Sequence, residues 1–182
     1  MNLNLTTKER FLLEDQKSQE QMCVDKYSSY ANLASCPQLK SLCQSIGQIE
    51  QQHLQTINQL LNGQIPAMNN QQQQEQQQGQ RQNQMASQQQ MSFQSSQGSQ
   101  SSQQQMSSSQ SSGSSQFPKS DKDICSDLLM TEKFVSGLYD TAIFEFTNTQ
   151  VRDVLNHIQK EEQEHGDRIF KYMESKGMYS PK

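Results

Sequence analysis

The sequence predicts an all-α protein: a four-helix bundle made of two duplicated helical hairpins joined by a long disordered crossover linker. Three observations predict it. Glu50-Gln51-Gln52-His53 recurs as Glu162-Gln163-Glu164-His165, and Glu20 recurs at the same offset as Glu132. Around these residues the apolar positions advance in steps of three, four and seven, the spacing of one helix face. Between the two halves, Gln and Ser make up well over half of the stretch from Gln64 to Lys119. The division is therefore a first hairpin over 1–63, a linker over 64–119 and a second hairpin over 120–182.

The first helix opens at Thr6-x-x-Glu9, a capping-box spacing in which each side chain satisfies an amide of the other's end of the turn. Its expected inward stripe is Leu13, Glu20, Val24, Tyr27, Ala31 and Ala34. The chain breaks at Ser35-Cys36-Pro37, where Pro37 suits the first position of a second helix because its missing N–H would be unpaired there anyway. That helix carries Leu39, Leu42, Ile46, Glu50, His53, Ile57 and Leu60, and Asn62-Gly63 ends it.

Ser120 is placed to cap the third helix, with Cys125, Leu128, Glu132, Val135, Tyr139, Ala142 and Phe146 inward. A turn at Thr147-Asn148-Thr149 leads to the fourth helix, whose stripe runs from Val151 through Val154, Ile158, Glu162, His165 and Ile169 to Met173, ending near Gly177. Asp15/Asp127, Tyr27/Tyr139, Gln38/Gln150, Ile46/Ile158 and Ile57/Ile169 are further identical pairs at the offset of the two motifs, so duplication is the simplest account.

The linker is nearly free of apolar residues, so nothing there offsets the entropy of ordering. A flexible coil of the linker's length spans about 40 Å and a helix of either hairpin is about 38 Å long, so the crossover is unstrained. A formal charge of −4 provides no basic footprint for nucleic acid. No apolar run nears the roughly 18 residues of a membrane span. The first residues lack the basic and apolar regions of an ordinary signal peptide. Cys23, Cys36, Cys43 and Cys125 form no Cys-x-x-Cys pair, and thiols buried as small hydrophobes in a reducing cytosol account for them. Cys23 and Cys43 fall where they would face each other across the first hairpin.

The candidate site is Glu20, Glu50, His53, Glu132, Glu162 and His165. Positions i and i+3 share a helix face, so each Glu-x-x-His aims two side chains one way. Residues equidistant from an antiparallel turn lie at one height: 20 and 50 flank position 35, and 132 and 162 flank position 147, the two turns. All six therefore fall on apolar stripes at one level, roughly 22 Å from the loops. Four buried carboxylates together would repel and hold protons. Two divalent cations would balance them, with two neutral imidazoles completing the ligand set that a four-helix bundle uses for a metal pair. Carboxylate and imidazole donors suit iron or manganese. Tyr27 and Tyr139, two turns from the lone glutamates, are placed either to hydrogen-bond these carboxylates or to fill the core. His157, Glu161 and Glu164 read as surface residues, Glu161 being the one able to lean inward.

Leu12-Leu13-Glu14-Asp15-Gln16-Lys17, Glu50-Gln51-Gln52-His53, and above all Asp127-Leu128-Leu129-Met130-Thr131-Glu132-Lys133 with Tyr139-Asp140-Thr141-Ala142, resemble the coat F family of spore coat proteins. The resemblance covers both hairpins and leaves out the linker. It implies a ferritin-like fold, synthesis in the mother-cell cytoplasm, assembly into the spore coat, and other coat proteins or further copies of the chain as partners. In di-metal members of the ferritin-like superfamily, the six residues above would be the ligands. The alternative it leaves open is a di-iron or di-manganese oxidoreductase consuming peroxide or oxygen. For the linker it leaves two uses, a solvated tether or a Gln-rich donor of transglutaminase cross-links.

Overall fold

This computed structural model describes residues 3–67 and 120–179. The linker expected over 64–119 lies outside the described residues from position 68 onward, and its two proposed uses lie outside them as well. Among the described residues there are four helices and no strand: α1 (Thr7–Leu33), α2 (Pro37–Leu61), α3 (Asp121–Glu145) and α4 (Thr149–Ser175). The expected capping box forms at Thr6 and Glu9, Pro37 takes the first position of α2, and Ser120 accepts from the Asp123 amide. Asn148 caps α4 by accepting from the amides of Gln150 and Val151. The chain leaves α2 through Gly63 at φ +79°, a left-handed conformation that glycine adopts without steric cost. There the Leu3 amide donates to the Gly63 carbonyl at 3.0 Å, tying the N-terminal segment to the end of the first hairpin.

Helices α1 and α2 pack along their length, as do α3 and α4, and the two hairpins meet through α1 against α3 and α2 against α4. The core they enclose is continuous, with Leu13, Ile46 and Ile57 from one hairpin and Leu128, Val135 and Ile158 from the other. On α1 the inward stripe slips by one residue at two places and gains Gln16. Cys23 and Tyr30 are fully or almost fully buried, whereas Val24 and Ala31 are only half-buried. The true stripe, Leu13, Gln16, Glu20, Cys23, Tyr27, Tyr30 and Ala34, alternates steps of three and four without exception. A step of four from Glu20 to Val24 turns the side chain about 40° past the axis that faces both neighbours, because a helix turns about 100° per residue.

The duplication reaches into the turns. Glu9 of α1 accepts from the Thr147 amide at 3.0 Å and from its hydroxyl, holding the α3–α4 turn. Asp121, the counterpart of Glu9 in the second hairpin, accepts from the amides of Ser35 and Cys36 at 2.7 and 2.9 Å, holding the α1–α2 turn. Each hairpin thus caps the turn of the other, an exchange hidden in the sequence by the Glu/Asp difference.

At Gly47, α2 lies close against Tyr27 of α1. A Cβ there would stand 3.1 Å from the Tyr27 Cβ, a backbone-proximal atom that cannot rotate away. Gly47→Ala is expected to lower stability by about 1 kcal/mol, since overpacking of about 1–3 kcal/mol outweighs the gain of up to about 1 kcal/mol from replacing a helical glycine. Chemical denaturation with an unchanged or raised midpoint would contradict it.

Candidate metal centre

Glu20, Glu50, His53, Glu132, Glu162 and His165 converge from four helices into one buried cluster, and none is more than 2% exposed. All six sequence candidates are brought together. They form two overlapping groups whose ligand atoms lie within 4.8 Å of one another: Glu20, Glu50, His53 and Glu162, and Glu50, Glu132, Glu162 and His165. Glu50 and Glu162 belong to both.

The distances show how the sharing works. Glu50 turns Oε1 to His165 Nδ1 at 2.9 Å and Oε2 to His53 Nδ1 at 3.4 Å. Glu162 turns Oε1 to His53 Nδ1 at 3.0 Å and Oε2 to His165 Nδ1 at 4.0 Å. Glu20 approaches only the His53 side, at 3.7 Å, and Glu132 only the His165 side, at 3.5 Å. The two imidazole rings face each other with centroids 5.7 Å apart.

Eight of these inward atoms have no hydrogen-bond partner: Glu20 Oε2, Glu132 Oε2, both oxygens of Glu50 and Glu162, and both Nδ1 atoms. Burying one unpaired polar group costs about 1–3 kcal/mol, more when it is charged. A cluster that leaves eight such atoms aimed at a shared centre could hold two cations, whose +4 charge the four carboxylates would match. The residues fit a metal pair.

Without cations the cluster distributes its protons unevenly. Burial raises the Glu20 carboxyl to about 7, with the Glu50 charge adding to it and the His53 imidazole and the Tyr139 hydroxyl opposing. Burial also lifts Glu162 well above the usual carboxylate range, and the Glu50 charge lifts it further. For Glu50 burial acts upward too, but the two imidazoles outweigh it and hold the group far below that range. Burial disfavours the charged imidazoles, yet the surrounding carboxylates, Glu161 first, raise His53, and Glu132 and Glu50 raise His165.

A second ring of residues fixes the first. The Tyr27 hydroxyl on α1 donates to Glu132 on α3, and the Tyr139 hydroxyl on α3 donates to Glu20 on α1, so each tyrosine crosses to the other hairpin. Of the two readings of these tyrosines, the hydrogen-bonded one holds, and both are also fully buried. Cys23, Cys43 and Cys125 are free and buried; Cys36 is free and half-buried.

Glu161 corrects the sequence reading. The sequence places it at the surface, but it is 7% exposed and its Oε2 lies 2.8 Å from His53 Nε2. Its Oε1 lies 3.4 Å from His157 Nε2, and His157 is half-buried rather than solvated. When the ring is neutral, a carboxylate on Nε2 keeps the proton there and frees the Nδ1 lone pair for the cluster. The sequence held one signal for it: Glu161 adjoins Glu162, so it lies about 100° around α4 from an inward residue and faces α2 where the bundle closes. The duplication does not extend to this contact, because Ile49 stands at the matching place and His165 Nε2 has no hydrogen-bond partner.

No curated protein and no solved structure matches the chain. No helix among the described residues is long and apolar enough to cross a membrane. The family model described as the Coat F domain matches residues 120–182, so the chain is similar to that family over its second hairpin, which carries Asp127 to Lys133, Glu162 and His165.

Proposed function

We propose that the protein is a structural component of the bacterial spore coat, and that its bundle is ferritin-like and holds a pair of iron or manganese ions. The coat reading rests on the Coat F match over residues 120–182. The observation that carries the metal reading is the sharing of Glu50 and Glu162, each presenting one oxygen to either imidazole. A purely structural bundle gains nothing from eight buried polar atoms without hydrogen bonds at its centre, whereas apolar residues of similar volume would stabilise it.

In this reading Glu20, His53, Glu132 and His165, together with the shared Glu50 and Glu162, would hold the two ions. Bound iron or manganese would supply redox or Lewis-acid chemistry in a site shielded from bulk water. The protein's own part is to orient: Tyr27 and Tyr139 restrain the two terminal carboxylates, and Glu161 sets the His53 tautomer. On the outer surface, Met130 and Phe134, 70% and 58% exposed and one turn apart on α3, offer an apolar strip for packing against other coat proteins or further copies of the chain.

Two measurements test the proposal. Extraction of spore coats followed by immunoblotting is expected to recover the protein in the coat fraction. Elemental analysis of the purified protein is expected to find two iron or manganese ions per chain. Recovery only from the spore core would remove the coat reading, and no bound metal after reconstitution would remove the metal reading.

A further inference from the structure

The two hairpins differ beside the candidate centre. Gly166 on α4 is the duplication counterpart of Leu54, and Leu54 is a buried side chain, 7% exposed, on α2. Next to Gly166 a cleft of about 460 Å³ runs between α3 and α4. Its lining includes exposed Lys133 and Gln163 at the rim and buried Glu132 and Glu162 at the floor, so it comes up against two of the six candidate ligands, which are only 2% and 0% exposed. The groove between α1 and α2, lined by Val24, Tyr27, Gly47 and Gln51 among others, includes none of the six. Of these two clefts, the one between α3 and α4 approaches the centre and the one between α1 and α2 does not.

We propose that this cleft is the entrance by which a small uncharged molecule reaches the centre, and that Gly166 sets its size limit. The inference rests on the two-metal reading and deepens it. Leu129 and Phe170 give the passage apolar walls, which favour a neutral molecule over an ion. At the rim Lys133 and Asp167 carry opposite charges and present no field of one sign to draw an anion or a cation. A Cβ on Gly166 would meet Leu129 Cδ1 at 3.7 Å and Glu132 Cβ at 3.9 Å, ordinary contact distances. Alanine therefore fits, whereas a leucine, the residue at the matching place on α2, would extend into the passage.

The test uses the full chain reconstituted with iron(II) and kept anaerobic. Nitric oxide serves as the neutral diatomic probe, its binding followed by stopped-flow absorbance, with iron content measured in parallel. Gly166→Ala is expected to bind at the wild-type rate. Gly166→Leu is expected to bind about tenfold more slowly with its iron content unchanged, and adding Leu129→Ala to it should restore part of the rate. If Gly166→Leu fails to fold or to hold iron, Ser136→Leu on the α3 side of the cleft replaces it with the same expectation. Wild-type rates in the iron-loaded leucine variants would overturn the entrance while leaving the metal reading intact. Absence of iron from the reconstituted wild type would overturn the metal reading, and the entrance with it.

Discussion

Glu162→Gln is expected to shift the melting temperature in opposite directions with and without metal: upward in the metal-free protein, downward in the loaded one. Burial and the Glu50 charge lift the Glu162 carboxyl well above its usual range against the pull of His53, so the metal-free fold bears the cost of a buried carboxyl that holds its proton above the usual range. An amide has the same shape and no charge, which removes that cost. The shared position, however, needs a carboxylate with both oxygens available, and the amide leaves four cationic charges facing three. At metal concentrations about a hundredfold above Kd, binding adds about 2.7 kcal/mol, which at about 3 °C per kcal/mol makes the lost stabilisation about 8 °C. Calorimetry with chelator and with manganese(II) reads both signs. The double variant Glu50→Ala/Glu162→Ala, measured beside it, is expected to hold no metal. Shifts of the same sign in both conditions would exclude Glu162 as a shared ligand.

The second large effect is on pH. Glu20 has its carboxyl raised from the ordinary value of 4.5 to about 7 in the metal-free fold. A raised group contributes stability that is complete below its unfolded value and is lost as pH rises through the folded one. Metal-free protein should therefore lose roughly 3 kcal/mol between about pH 4.5 and 7 through Glu20 alone. Glu162 acts in the same direction. His53 and His165, both raised above 6.5, extend the loss to higher pH. Glu50, Glu9 and Asp127 are depressed and act oppositely, removing stability as pH falls below their unfolded values. The metal-free optimum thus lies near about pH 4.5–5, at the acid edge of the usual range. Divalent cations take the place of the protons, so their stabilising effect grows with pH and the two melting curves diverge. A metal-free melting temperature that rises between pH 5 and 7 would refute this distribution of protons.

The all-α, two-hairpin plan was legible because it is written in local terms. Caps at Thr6 and Ser120, Pro37 at a helix start and Gly63 at a helix end act within a turn of their own positions and need no partner from elsewhere. The six-residue cluster was legible for a different reason. Each residue appears twice at one offset and at matched heights from the turns, so any bundle that buries the apolar stripes must bring the six together. The slip of one position on α1 shows the limit of that reading. Val24 and Cys23 are both plausible core residues, and the choice between them depends on the angle at which α1 meets two other helices at once.

Periodicity and duplication along the chain set the fold class, the height of the candidate site and its carboxylate and imidazole composition, since they fix which faces are buried and at what level. Which carboxylates are shared, the crossing of Tyr27 and Tyr139 to the opposite hairpin, the reach of Glu161 to His53 and the cleft beside Gly166 emerge with the packing of the four helices. Those features depend on distances between helices far apart in the chain. A small difference in packing, such as that between Gly166 and Leu54, decides whether a side chain reaches its partner or a cleft forms beside it, and no spacing along the chain carries that information.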